Sequence, residues 1–155
     1  MNSSIILQRP LRLIVCKSEV FPDGNKVAFS ALESHLDTLQ GRKFYGLVYE
    51  TTEGMDYFAG LVPDEETEEA KFINLGFSIR EVEGGPCARA KLFDWSDKTD
   101  QIGPTIGEMI KKHGIDSSRP QIEFYRSLSE LHLLLPIPPQ DSSQIDSAYK
   151  SSIKK

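Results

Sequence analysis

Residues 121–137, QIEFYRSLSELHLLLPI, show the clearest alternation of hydrophobic and polar positions in the chain. Ile122 and Phe124 alternate with Glu123 and Tyr125. In the second half of the segment, leucines stand two residues apart: Leu131, Leu133 and Leu135. Apolar side chains at every second position are typical of a strand with one buried face. The segment therefore predicts two short strands joined by a tight turn, with Glu123 and Tyr125 side by side on one face of the first.

Five other segments have strand-like patterns, and two have the spacing of an amphipathic helix. The predicted strands span residues 11–21, 43–50, 57–62, 77–83 and 87–95. The predicted helices span residues 26–40 and 102–113, and each is followed by a glycine, Gly41 or Gly114, that can end it. The first helix is expected to bury the positions Val27, Ala31, Leu32, His35, Leu36 and Leu39. The chain therefore predicts a mixed fold of strands and helices.

The acidic run at residues 64–69, DEETEE, interrupts this pattern. Neighbouring like charges repel one another and favour contact with water. We therefore interpret the run as a solvated connection between two elements. The alternative is a charged rim over a pocket that favours cations.

The predicted elements occur twice in the same order, as strand, helix, strand and strand. The two units span about residues 11–63 and 77–137. Each unit has one helix to cover one face of its strands. We therefore predict an α+β domain of two tandem units, with a curved antiparallel sheet, two helices on one side and a central cleft. The interface between the units is a natural place for a pocket.

Length and composition are consistent with one globular domain, which we place at residues 1–137. The polar segment that follows, residues 138–155, begins with Pro138 and Pro139 and is expected to be a flexible tail. The chain has 155 residues, with 18 basic and 23 acidic side chains and a net charge of −5. A nucleic-acid partner is not expected, because phosphate binding needs clustered lysine and arginine.

The sequence also bears on the compartment and on metals. No apolar run approaches the ~20 residues of a membrane span, and the start of the chain lacks the pattern of a signal peptide. A cytoplasmic protein without a membrane partner is the expectation. The two cysteines, Cys16 and Cys87, form no CxxC motif and no cluster with histidine at metal spacing. We therefore expect core thiols, and neither a metal nor a cofactor.

The order of elements, together with three motifs, resembles the GyrI-like small-molecule-binding domain. This module is also the effector-binding domain of bacterial transcription regulators of the AraC and MerR types. The motifs are KFYGLVYE, the IEFY of Glu123 and Tyr125, and the closing strand ELHLLLPI. The resemblance covers about residues 11–137. Such domains often carry a glycine-containing turn after the first strand of each repeat, where this chain has residues 18–23 and 94–98.

The resemblance implies a ligand cleft between the repeats, with Glu123 inside it. In the transcription regulators the matching glutamate faces lipophilic cations. Our leading hypothesis is a stand-alone sensor or sequestering protein for a small organic ligand, mainly apolar and either cationic or neutral, with Glu123 as the polar anchor. The predicted walls of the cleft are aromatic: Tyr45, Tyr49, Tyr57, Tyr125 and Trp95. The chain has no predicted helix-turn-helix segment, so it is not expected to bind DNA itself.

Other functions stay open. Some stand-alone members of the family are similar to hydrolases that open strained, cyclopropane-containing toxins with the glutamate and an aromatic residue. In that case Glu123 would act as general base on a water molecule while Tyr125 orients the substrate. A protein-interaction module, such as a gyrase inhibitor, is the third hypothesis, and self-association through an edge strand also stays open. The pattern alone equally allows Glu123 to be a solvent-facing carboxylate on a half-exposed strand.

Overall fold

Eight strands form one antiparallel sheet in the computed structural model, which describes residues 3–139 of the protein. In chain order they are β1 (Ser4–Gln8), β2 (Leu11–Lys17), β3 (Phe44–Thr51), β4 (Gly54–Leu61), β5 (Ser78–Val82), β6 (Gly85–Phe93), β7 (Gln121–Tyr125) and β8 (Glu130–Pro136). Their order across the sheet is β1-β6-β8-β7-β3-β4-β2-β5. The sheet curls into a half-barrel, which confirms the predicted curved antiparallel sheet. Most of the predicted tail, residues 140–155, lies outside the described residues.

Three α-helices accompany the sheet within residues 3–139: α1 (Asn25–Glu33), α2 (Glu66–Asn74) and α3 (Ile102–His113). Helices α1 and α3 correspond to the two predicted helices, and α3 has the predicted bounds. The structure therefore has one helix more than predicted, and the edge strand β1 was not predicted either. None of the three helices is long and apolar enough to cross a membrane.

The two predicted units meet in the middle of the sheet. Along the chain the order β2, α1, β3, β4 is followed, after α2 and β5, by the order β6, α3, β7, β8. They join where β3 pairs with β7, with Gly46 opposite Glu123. The sheet extends further on both sides, with β5 beside β2 and β1 beside β6. The predicted bounds place β5 in the second unit, but it pairs with a strand of the first. The centre of the sheet is therefore the place where side chains from both units come together.

Buried side chains fill both faces of the sheet. On one face, helices α1 and α2 pack Leu32 and Phe72 against the strands, and α3 packs Met109 in the same way. The strand residues beneath these helices include Ile14, Ala59, Leu61, Ala88, Ala90, Leu131 and Leu133. The second core, on the other face, includes Leu13, Val15, Leu47, Ile122 and Leu134. Odd or even placement along a strand therefore decides which core a residue joins.

Helix α1 is shorter than predicted, because it ends at Glu33 and not near residue 40. After the helix, the hydroxyl of Thr38 accepts a hydrogen bond from the backbone N–H of Gln40 at 3.1 Å. Local bonds of this kind, from side chain to backbone, compete with helical hydrogen bonds. The carbonyl of His35 is satisfied by the ammonium of Lys71 instead, at 2.9 Å.

The buried face of α1 also differs from the prediction. Ala28 and Leu32 are buried and Phe29 packs beside them, whereas Val27 is 72% exposed and Leu39 is 49% exposed. Helical spacing places Val27 on the buried face, because it is four residues before Ala31. In the structure the buried stripe is displaced by one position and contains Ala28 and Leu32. Phe29, which the predicted face omits, therefore points toward the centre of the sheet.

Residues 64–67 of the acidic run are exposed, as a solvated segment should be, but residues 66–69 form the first turn of helix α2 and not a connection. Two of its glutamates are paired with arginines that are distant in sequence. The Arg42 guanidinium binds Glu68, with one hydrogen bond of 3.0 Å, and Arg12 donates three hydrogen bonds to Glu69, at 2.9, 3.0 and 3.2 Å. Carboxylates in the first turn of a helix are further stabilised by the helix dipole. These interactions outweigh the repulsion among the acidic side chains.

We expect Arg42→Met to lower the free energy of unfolding by about 1–2 kcal/mol at neutral pH. Arg42 is 8% exposed and Glu68 is 16% exposed, so the carboxylate would lose its partner where little water reaches it. The hydrogen bond from Arg42 lowers the pKa of Glu68. A lowered carboxyl pKa stabilises the folded state above the unfolded pKa of about 4.3. The difference between wild type and variant should therefore shrink as the pH falls through the lowered pKa of Glu68.

Urea unfolding at neutral and at acidic pH measures this difference directly. The exposed Arg9 serves as the control, since Arg9→Met should leave stability within about 0.5 kcal/mol of wild type. A deficit of Arg42→Met that stays constant down to acidic pH would show that the ion pair with Glu68 is not its cause.

Candidate functional site

Three polar side chains meet on the helix-covered face of the sheet, where the two units join. The hydroxyl groups of Tyr57 and Tyr125 each donate a hydrogen bond of 2.7 Å to the same carboxylate oxygen of Glu123, Oε1. The two hydroxyl oxygens lie 3.1 Å apart. We call these three residues the carboxylate–phenol cluster. Because two donors hold one oxygen, the carboxylate has a defined position.

Strand pairing explains why these side chains meet. Glu123 and Tyr125 are two residues apart on β7 and therefore share a face. Strand β3 lies between β7 and β4, which carries Tyr57, and Gly46 of β3 is paired with Glu123. A Cβ atom on Gly46 would lie 2.0 Å from the Tyr57 hydroxyl oxygen and 2.8 Å from Oε1 of Glu123. The absence of a side chain at Gly46 leaves the space in which the phenol reaches the carboxylate.

Three further aromatic side chains contact the tyrosines of the cluster, and we call Phe21, Phe29 and Trp95 the aromatic wall. The Phe21 ring stacks on Tyr57, with the centroids 5.7 Å apart and the planes at 22°. Phe29, on α1, meets Tyr57 and Tyr125 edge-on at 6.2 and 5.2 Å. Trp95, between β6 and α3, meets Tyr125 edge-on at 5.2 Å. Both units therefore contribute to the wall.

The surroundings of the cluster keep its phenols protonated. Tyr57 is 1% exposed. Burial, together with the negative charge of Glu123, raises the pKa of Tyr57 and of Tyr125 far above the usual value for a phenol. Both hydroxyl groups are therefore hydrogen-bond donors at neutral pH, and neither adds negative charge to the site.

Glu123 has no basic partner in the described part of the chain. Within residues 3–139 no lysine, arginine or histidine forms an ion pair with Glu123, and its second oxygen, Oε2, accepts no hydrogen bond. The side chain is half-buried. A partly desolvated carboxylate favours the approach of a positive charge, and aromatic faces attract the same charge. The arrangement is suited to hold a cation with apolar substituents.

Metal coordination would need more ligands than the cluster offers. Among residues 3–139, no three His, Cys, Asp or Glu side chains are grouped to hold a metal ion. The cluster provides one carboxylate and two protonated phenols. Its chemistry consists of charge attraction, hydrogen bonding and, at Oε2, acceptance of a proton.

Solved structures match the fold, although no protein-family model and no curated protein matches the chain. The structure of SAV2435 bound to tetraphenylphosphonium matches with a TM-score of 0.64 and 14% identity, over 89% of this chain and 94% of that chain. An integron cassette protein from Vibrio cholerae matches with a TM-score of 0.64 and 12% identity, over 89% and 97% of the two chains. A hydrolase from Listeria innocua matches with a TM-score of 0.57 and 13% identity, over 88% and 92%.

The chain has the GyrI-like fold. The matches extend over nearly the whole of both chains, so the resemblance seen in the motifs KFYGLVYE, IEFY and ELHLLLPI is confirmed for the fold. At identities of 12–14%, the matches show the fold alone. The chemistry of the site depends on the side chains of this chain.

The GyrI-like fold brings together some of the residues predicted to line the cleft and separates others. Four of them lie in one place: Glu123, Tyr125, Tyr57 and Trp95. Tyr45 and Tyr49 lie on the other face of the sheet, because both differ from Gly46 by an odd number of positions along β3. There Tyr45 stacks on Phe124 at 4.8 Å, and Tyr49 lies beneath the guanidinium of Arg80, 4.9 Å from its ring. Neither tyrosine contacts the carboxylate–phenol cluster.

Three residues at the site of the GyrI-like fold were missed by the sequence analysis: Phe21, Phe29 and Gly46. Gly46 had a usable signal, since a glycine within a strand pattern often marks a close approach of other atoms to the backbone. Phe29 had one too, because it is three and seven residues before Leu32 and Leu36. Phe21 lies in a loop, and no sequence signal indicated its place at the site. Phe21 and Trp95 lie in the segments 18–23 and 94–98, where the resemblance implies a glycine-containing turn.

Proposed function

We propose that the protein binds small lipophilic cations at the carboxylate–phenol cluster. The observation that carries the proposal is Glu123, a half-buried carboxylate without a basic partner within residues 3–139 and beside the aromatic wall. An unpaired charge in a partly dry site is unfavourable. A cationic ligand would supply the missing positive charge, and its apolar groups would be covered by the surrounding rings.

Each part of the site has its own role in this proposal. Glu123 supplies the charge. The hydroxyl groups of Tyr57 and Tyr125 fix the carboxylate before the ligand arrives, so that less conformational freedom is lost on binding. The aromatic wall packs against the substituents of the ligand, and each ring face near the positive charge adds about 0.5–2 kcal/mol. Charge is then the main criterion of recognition, with shape second.

We propose that cation binding serves a sensor or sequestering role in the cytoplasm. SAV2435, which shares the fold, was solved with tetraphenylphosphonium bound, and this lipophilic cation supports the choice of ligand class. Cys16 and Cys87 are free thiols, as is usual in a reducing compartment. Reversible binding needs no group beyond those already at the site.

Hydrolysis is the second candidate, and the observation that favours it is Oε2 of Glu123, which accepts no hydrogen bond from residues 3–139. Oε2 could take a proton from a water molecule that attacks an electrophilic ligand. One of the structures that share the fold is a hydrolase from Listeria innocua. A single carboxylate base is sufficient only for a substrate that is already strained or otherwise activated.

The change Glu123→Gln tests the proposal with the least disturbance of shape. We expect it to weaken the binding of tetraphenylphosphonium at least about tenfold, because the charge is lost while the volume is kept. Neutral triphenylphosphine oxide should lose no affinity in the variant, because it has no positive charge to pair with Glu123. Isothermal titration calorimetry measures both affinities. Tyr49→Phe, on the opposite face of the sheet, is the matched control and should bind as wild type does.

Equal binding of the cation by wild type and Glu123→Gln would refute the role of Glu123 as anchor. Hydrolysis has a separate signature, which is a gain of one water by a strained cyclopropane compound, seen by mass spectrometry and lost in Glu123→Gln. Failure to bind any aromatic cation, with a protein that co-purifies, would favour the interaction module.

A further inference from the structure

Arg89 is a second charged residue without an ion pair, on the face of the sheet opposite to the carboxylate–phenol cluster. It lies on β6 opposite Leu134, which belongs to the second core. Its guanidinium donates one long hydrogen bond, of 3.4 Å, to the hydroxyl oxygen of Ser4. Within residues 3–139 no carboxylate pairs with Arg89, and its buried Nε has no hydrogen-bond partner. A buried N–H without an acceptor is unfavourable, so the side chain is suited to receive an anion.

The fold does not need a charge at this position, as the matching position near the other edge of the sheet shows. Arg89 lies on the second strand from one edge and pairs with Ser4 of the edge strand β1. Val15 lies on the second strand from the other edge and pairs with Ser78 of the edge strand β5. Val15 belongs to the second core and is 3% exposed. A small apolar side chain therefore fits such a position, and packing does not explain the arginine.

Lys91 adds a second positive charge beside Arg89. The two residues are two positions apart on β6, so their side chains share a face at a spacing of about 7 Å. Burial lowers the pKa of His132, its hydrogen bond to Glu130 opposes this, and the charges of Lys91 and Arg89 lower the pKa further. Glu130 is bonded to His132, and within residues 3–139 Lys91 forms no ion pair. Two cations against one carboxylate leave a surplus of positive charge here.

We propose that Arg89 and Lys91, with the hydroxyl group of Ser4, form an anion site that binds the phosphate group of a small molecule. The inference goes beyond the proposed function and does not depend on it, because this site lies on the other face of the sheet and takes the opposite charge. The planar guanidinium binds two phosphate oxygens at once, and the ammonium of Lys91 can bind a third. The Ser4 hydroxyl accepts from Arg89 and can still donate its own proton. A carboxylate has two oxygens, and the guanidinium alone would occupy both.

Calorimetric titration of the full chain with phenyl phosphate at neutral pH tests this inference. We expect Arg89→Val to weaken binding at least about tenfold, because the charged, two-pronged contact is lost. Arg89→Lys keeps the charge but not the planar guanidinium, and should weaken binding about threefold. Lys17→Met is the matched control and should bind as wild type does. Lys17 lies on the same face, two residues from Val15, but its ammonium is already paired with Asp56 at 3.7 Å.

Three results would overturn the phosphate site. The first is a wild-type protein that does not bind phenyl phosphate. The second is an equal loss of affinity in Arg89→Val and Lys17→Met, which would indicate attraction by surface charge in general. The third is binding to phosphatidic acid vesicles without binding of phenyl phosphate, which would indicate a lipid surface as the partner. If Arg89→Val does not fold, Arg89→Lys decides, since unchanged affinity there would refute the role of the guanidinium.

Discussion

Gly46→Ala is expected to lower the free energy of unfolding by about 3 kcal/mol and to abolish ligand binding. The new Cβ would lie 2.0 Å from the hydroxyl oxygen of Tyr57 and 2.6 Å from its ring carbon Cζ. Tyr57 cannot move away easily, because its ring is buried and packs against Phe21 and Phe29. Either the phenol leaves the carboxylate of Glu123 or the strand shifts, and both outcomes disrupt the site.

Urea unfolding and calorimetric titration measure the two effects of Gly46→Ala. The control is Gly107→Ala in α3, where a Cβ meets nothing within 4 Å. That change should raise stability by about 0.5–1 kcal/mol, because alanine favours the helix over glycine. Adding Tyr57→Phe to Gly46→Ala removes the nearest atom and should recover part of the stability, but not all, because Cζ remains. Full ligand affinity in Gly46→Ala would mean that the carboxylate–phenol cluster is not needed for binding.

The sequence does not show the register between neighbouring strands, and this register decides which side chains lie together at the site. The alternation in IEFY places Glu123 and Tyr125 on one face, and the structure agrees. Alternation also places Tyr45 and Tyr49 together, but it cannot say which face of β3 lies beside Glu123. That depends on the pairing of Gly46 with Glu123, which connects positions 77 residues apart. Two tyrosines were therefore assigned to the cleft although they lie on the opposite face.

Elements with local signals were predicted better than elements stabilised by distant partners. Helix α3 has the predicted bounds, since apolar residues at helical spacing are followed by Gly114, whose φ of +78° favours glycine at the end of a helix. Helix α2 was missed, because its acidic residues indicate a solvated segment until Arg12 and Arg42 are known to pair with them. Phe21 joins the site only through its tertiary contact with Tyr57.

The three side chains of the carboxylate–phenol cluster are polar and lose contact with water on folding. Apolar side chains in the same positions would pack without losing hydrogen bonds to water. Hydrogen bonds between buried polar groups add little net stability, because the same groups bond to water in the unfolded chain. Removing one member of such a group is nevertheless unfavourable, since its partners stay buried and unpaired. A cluster that serves binding and not stability should therefore respond very differently to partial and to complete removal.

We expect Glu123→Leu to lower the free energy of unfolding by about 3 kcal/mol, since two phenols lose their acceptor and each unpaired group costs about 1–3 kcal/mol. The hydroxyl oxygens of Tyr57 and Tyr125 lie 3.1 Å apart, so a hydrogen bond between them recovers part of this loss. The combined change Tyr57→Phe, Glu123→Leu and Tyr125→Phe removes every polar group of the cluster. Its stability should return to within about 1 kcal/mol of wild type, or exceed it.

Urea unfolding of the single and triple variants, with titration of an aromatic cation, decides between the two roles of the cluster. Recovery of stability in the triple variant without recovery of binding would show that Glu123, Tyr57 and Tyr125 act in recognition and that the fold does not depend on them. If the triple variant is as unstable as Glu123→Leu, the cluster holds strands β3, β4 and β7 together, and the lack of a basic partner for Glu123 among residues 3–139 would no longer support a ligand site.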